Sequence, residues 1–131
     1  MSQSIESLSQ PKTITMEEIP KELPSLYAQE NETDPMVYVK YFDPTSSWTW
    51  FATEGSPVDE YGLYDTDRDK VDFLFFGYVL GHDAELGYFS FNELANVHKD
   101  LNGLDALPIE QDIYFTPCRL SEVKKFSERV L

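Results

Sequence analysis

The stretch Asp72–Leu94, DFLFFGYVLGHDAELGYFSFNEL, constrains the fold more than any other part of the chain. Phe73 to Val79 is almost unbroken apolar and aromatic side chain. So short and aromatic a run favours a strand covered on both faces over a helix. Gly77 inside it predicts a bulge or a close approach by another backbone. Gly81-His82-Asp83-Ala84 reads as a turn, with Glu85 to Phe89 returning as a second antiparallel strand. Ser90 followed by Glu93 forms a capping box, which predicts a helix from Ser90 to about His98 with Phe91, Leu94 and Val97 as its apolar stripe.

The flanking sequence supplies further strands. Met36 to Phe42 alternates, with Val37, Val39 and Tyr41 on one face. After the turn Asp43–Ser47, Trp48 to Glu54 forms a strand with Trp48, Trp50 and Ala52 on one face. The two should pair as a hairpin. Upstream, Pro24 opens a helical turn over Ser25 to Gln29, which should lay Leu23, Leu26 and Tyr27 on the core. Residues 1–18 read as a flexible N-terminal tail and residues 19–131 as one domain. Gly55 to Lys70 is polar and acidic and reads as a long loop. Asn102-Gly103 ends a segment. Ile113 to Phe115 reads as a short strand, and Ser121 caps a last helix, Glu122 to Val130, buried through Val123, Phe126 and Val130. The expected fold class is α+β: a single small domain with a mostly antiparallel sheet of four to five strands and two to three helices.

At 131 residues the chain holds one hydrophobic core. One cysteine, Cys118, leaves no intrachain disulfide. Neither a signal peptide nor a membrane span is expected, and a cytoplasmic location follows.

The net charge is −14, unevenly placed. Residues 30–112 hold eighteen acids against four bases, whereas residues 113–131 carry a net +2. An anionic body repels phosphates, so direct nucleic-acid binding is disfavoured. Either the charge serves solubility or it faces a basic partner.

Candidate chemistry is sparse. Asp65, Asp67 and Asp69 alternate like the start of a calcium loop. However, Lys70 stands where the turn glycine belongs and Phe76 where the bidentate Glu belongs, so no metal is expected. His82, Asp83 and Glu85 sit on a hairpin tip. With no activated nucleophile and no phosphate-binding glycine loop, an enzyme and a cofactor are not expected. Trp48 and Trp50 read as core packing, or, if exposed, as a protein-binding hot spot. Lys40 and Glu54 read as a cross-strand ion pair or as the polar part of a pocket beside Trp50.

Several segments together resemble a family of small bacterial and phage-associated proteins known only as a domain of unknown function. They are LPSLY from Leu23, VYVKYFDP from Val37, WTW from Trp48 with Thr53-Glu54, FFGYV from Phe75, ELGYFS from Glu85 with Glu93-Leu94, and PIE from Pro108 with Asp112. The resemblance spans roughly residues 23 to 122. It implies carriage by plasmids, integrative elements and phages, often among anti-restriction genes, and it implies no activity, cofactor or site residue.

The leading expectation is therefore a non-enzymatic acidic protein of a mobile element. It would inhibit a host defence complex, anti-CRISPR or anti-restriction in type, by acting as a DNA mimic on a basic protein surface. The residues expected to bind that partner are Asp59, Glu60, Asp65, Asp67, Asp69, Asp72, Asp83 and Glu85. The rival expectation is a small-ligand or peptide module with a pocket of Lys40, Trp48, Trp50 and Glu54.

Overall fold

The computed structural model describes residues 13–98 and 107–130, the side chains of 128–130 excepted. In chain order the strands are β1 (Met36–Val37), β2 (Val39–Phe42), β3 (Thr49–Val58), β4 (Asp72–Leu80), β5 (Ala84–Ser90), β6 (Glu110–Gln111) and β7 (Cys118–Arg119). The helices are α1 (Phe91–Asn96) and α2 (Leu120–Val130), and Met16–Glu18 makes one 3-10 turn. β5-β4-β3-β2-β6 form a five-stranded antiparallel sheet, and β1 pairs separately with β7. This is an α+β domain.

The central stretch folds as its sequence dictates. β4 and β5 pair from Leu74–Ser90 to Leu80–Ala84. Gly77 is required by a close approach: a Cβ there would run into the Phe51 carbonyl and lie 2.9 Å from the Ala52 Cα. The Ser90 hydroxyl accepts from the Glu93 amide at 3.1 Å and starts α1. The helix is shorter than expected, ending at Asn96, and Val97 is exposed rather than part of a buried stripe.

One sheet face carries the main core. Val39, Tyr41, Trp50, Ala52, Phe75 and Phe89 meet Ile14, Ile19, Phe91, Leu94 and Ile109 there. The packed domain therefore reaches back at least to Ile14, inside the segment expected to be tail. The other face is covered by α2, whose Leu120 and Val123 pack on Val37, Phe51 and Tyr78. Val37 and Val39 join different clusters because the strand breaks at Tyr38, whose N–H donates to Ala52 O at 2.9 Å.

Four further expectations are corrected. Gly55–Val58 is strand, not loop. Its free edge is covered by the segment before β1: Gly55 N donates to Pro24 O at 2.9 Å and Leu26 N to the Ser56 hydroxyl at 3.0 Å. That edge position tolerates Pro57, which has no N–H to offer a neighbour. Residues 26–30 form hydrogen-bonded turns, and Tyr27, expected on the core, is 45% exposed with φ +72°. Ile113 and Tyr114 are exposed beyond β6, not in a strand. Phe126 is 68% exposed, so α2 is held by Leu120 and Val123 and by Asp34, which accepts from the Ser121 amide and hydroxyl. Residues 1–12, the Asn102-Gly103 break and the Val130 side chain lie outside the described residues. Among the described residues no helix is long and apolar enough to cross a membrane.

Candidate functional site

The acidic loop joining β3 to β4 is built around Asp59. This residue is 2% exposed. Its carboxylate accepts from the Tyr61 and Leu63 amides at 2.9 and 3.0 Å and from the Thr66 hydroxyl at 2.6 Å. Arg68 approaches it at 3.4 Å while stacking over the Tyr61 ring. The Thr66 hydrogen bond leads the influences that hold its pKa down to about 2, outweighing burial. Asp59 thus knots the loop and is not available to a partner, contrary to expectation. Asp72 is half-buried, and its carboxylate accepts from the Phe73 and Asn92 amides, tying β4 to α1.

Glu60, Asp65, Asp67 and Asp69 are exposed. Glu60, Asp67 and Asp69 line one shallow depression with Arg68 and Val71. The Lys70 ammonium turns back onto the Thr66 and Arg68 carbonyls at 2.7 and 2.9 Å. Asp83 and Glu85 are also exposed, but at the opposite end of β4. A nine-residue strand separates the two sets by roughly 26 Å. The eight expected residues therefore do not form one row; five of them lie on one loop, and four of those are exposed.

The expected pocket of Lys40, Trp48, Trp50 and Glu54 does not assemble. Trp50 lies in the core. Trp48 packs beside it at 5.9 Å and lies against Gly81 and the edge of His82. Lys40 pairs with Asp112 at 3.5 Å, not with Glu54. The cause is a β-bulge. Ala52 pairs with Gly77, but Glu54 pairs with the next residue, Phe76, so Thr53 is the extra residue. Neighbouring residues of a strand point to opposite faces, and paired residues share one. The bulge therefore turns Glu54 away from Trp50 and onto the face of Phe76 and Tyr88.

There Glu54 helps build a cleft that the sequence reading missed. Its two oxygens accept from the Tyr27 and Gln29 amides at 2.7 and 2.9 Å. Tyr27 takes its left-handed backbone so that both amides converge on the carboxylate. The Gln29 side chain bridges to Met36 and to the bulge carbonyl of Thr53. Tyr27, Phe76 and Tyr88 wall a cavity of about 400 Å³ beside α2, with the exposed Glu30 and Glu32 at its margin. Phe76 and Tyr88 meet edge to face at 5.0 Å, and the Tyr88 hydroxyl donates to that of Tyr27 at 3.1 Å. That hydrogen bond, with burial and the Glu54 and Glu30 charges, pushes the Tyr88 pKa up to about 12.

Among the described residues no group of three or more His, Cys, Asp or Glu side chains is placed to hold a metal ion. Burial and Glu122 raise the Cys118 thiol pKa, which disfavours the reactive thiolate. No curated protein and no solved structure matches the chain. The model of one family covers residues 14–129, nearly the whole packed domain, and the chain belongs to that family, described as Protein of unknown function (DUF2958).

Proposed function

We propose that this protein is a non-enzymatic acidic interaction protein of a mobile element. Its partner is the basic surface of a host nucleic-acid-handling defence complex of restriction or CRISPR type. Exposed carboxylates stand in for phosphates in a groove lined by lysine and arginine, which respond to anionic charge and bidentate geometry. The observation that carries the reading is the organisation of the β3–β4 loop. Asp59 fixes it from within, Lys70 folds onto loop carbonyls, and Glu60, Asp65, Asp67 and Asp69 remain outward. A fixed anionic loop loses little conformational freedom on docking.

The test is capture of restriction and CRISPR complexes by the full chain at low and high salt, beside a triple variant D65K/D67K/D69K. These sites are exposed, so the variant should fold normally. Affinity should fall roughly tenfold or more in the variant, and steeply with salt for the parent. An unchanged affinity in the folded variant would remove the loop from the interface.

A further inference from the structure

Glu54 is 4% exposed. Among the described residues no lysine, arginine or histidine lies within ion-pair distance of it. Its two amide donors supply dipoles, not a unit charge, and each oxygen keeps a lone pair to spare. Lys124 lines the same cleft, but its ammonium sits over the Tyr78 ring at 5.3 Å. A buried carboxylate is normally paired. This one borders an open cavity whose walls are aromatic rings and whose margin carries two more carboxylates.

We propose that the cleft binds a guanidinium group. Its flat cation stacks on a tyrosine face, its N–H fork reaches the Glu54 carboxylate, and Glu30 and Glu32 draw it in. An ammonium lacks the plane and holds its water more tightly, so the site should prefer arginine chemistry to lysine chemistry. The cavity volume of about 400 Å³ lies within the range of small-ligand sites. Two sources offer the group, an arginine side chain of a bound protein and a free guanidino compound. The acidic loop contributes no lining residue and touches the cleft through the Tyr64–Tyr27 ring contact at 6.2 Å, so the loop triple variant, which keeps Tyr64, should retain the site.

The full chain is titrated with N-acetyl-arginine methylamide, with agmatine and with N-acetyl-lysine methylamide, followed by NMR shifts of the Tyr27, Phe76 and Tyr88 rings. Saturable binding of an arginine-type probe is expected, at least fivefold tighter than the lysine probe. It should fall tenfold or more in E54Q and in Y88A. Tyr88 is 52% exposed, so Y88A keeps the test decisive if E54Q does not fold. Tighter binding of the capped arginine assigns the source to a protein side chain, and tighter binding of agmatine to a free compound. Unsaturable shifts, equal binding of the lysine probe, or unchanged affinity in Y88A would overturn the proposal.

Discussion

Gly77 and Gly87 face each other directly across β4 and β5, and alanine at each should have opposite effects. At Gly77 an added Cβ would overlap the Phe51 carbonyl oxygen and stand 2.8 Å from its carbon and 2.9 Å from the Ala52 Cα. All three obstacles are backbone of the central strand, so no side-chain rotation gives relief. The overlap with the carbonyl oxygen is the most severe, and carbon–oxygen contacts begin at about 3.3 Å, so β3 and β4 must part by more than about 1 Å. Parting them weakens two or three ladder hydrogen bonds at about 1 kcal/mol each, and overpacking adds about 1–3 kcal/mol. G77A should therefore cost about 3–6 kcal/mol. At Gly87 nothing lies within 4 Å of the added carbon, and its φ is not positive. G87A should be neutral or stabilising by up to about 1 kcal/mol, because alanine restricts the unfolded chain. Urea titration followed by tryptophan fluorescence reads both. With a slope of about 2 kcal/mol per M, the G77A midpoint drops by about 1.5–3 M while that of G87A holds or rises. A G77A midpoint within about 0.5 M of the parent would refute the account of the β3–β4 contact.

Other expectations follow from the same geometry. S90A removes the hydroxyl that accepts the Glu93 amide and should lower stability by about 1 kcal/mol in the same titration. Asp34, Asp43 and Asp59 all have lowered pKa values. For Asp34 the Ser121 hydrogen bonds are the cause; for Asp43 burial opposes the shift, but Thr45 and His98 outweigh it. A carboxyl whose folded pKa is depressed stabilises the fold above its unfolded pKa near 3.9 and loses that contribution as pH falls through the folded value. Stability should therefore decline from about pH 4 toward pH 2, and D59N should flatten that decline; an unchanged slope would show that Asp59 does not carry it. Y27G relieves a bulky residue at φ +72° and should be neutral or stabilising by up to about 1 kcal/mol. It should nonetheless abolish guanidinium binding, separating the strain from the fold by one melt and one titration.

How far the sequence could be read depended on the range of the interactions. β4, β5 and the Ser90 cap were legible because each is encoded within about twenty residues by period, turn chemistry and a capping pair. The Trp48–Ala52 face was legible for the same reason. The reading failed at Thr53, where one extra residue reverses the alternation and carries Glu54 to the other face. No pattern within β3 announces that bulge, whose Thr53 carbonyl is bonded by Gln29, twenty-four residues away in the chain. Gly55–Val58 looked like loop because Gly, Ser and Pro are poor strand formers. It is strand because the segment around Pro24 and Leu26 covers its edge. Phe126 and Val97 fit helical stripes, but the opposing surface ends before it reaches them. Asp59 looked like any other loop acid. Its burial depends on Thr66 and Arg68 closing over it, which charge counting does not register. The cleft had a faint signal in Tyr27, Glu54 and Tyr88, three residues with no local relation to each other.

The small β1–β7 pair has a consequence for biosynthesis. Met36 and Val37 are made more than eighty residues before their partners, Arg119 and Cys118. Until then Val37, Phe51 and Tyr78 wait without Leu120 and Val123 to shield them. The nascent chain carries that oily face until residues 118–123 have been made, so a polypeptide truncated before residue 118 should be one that chaperones retain and proteases clear.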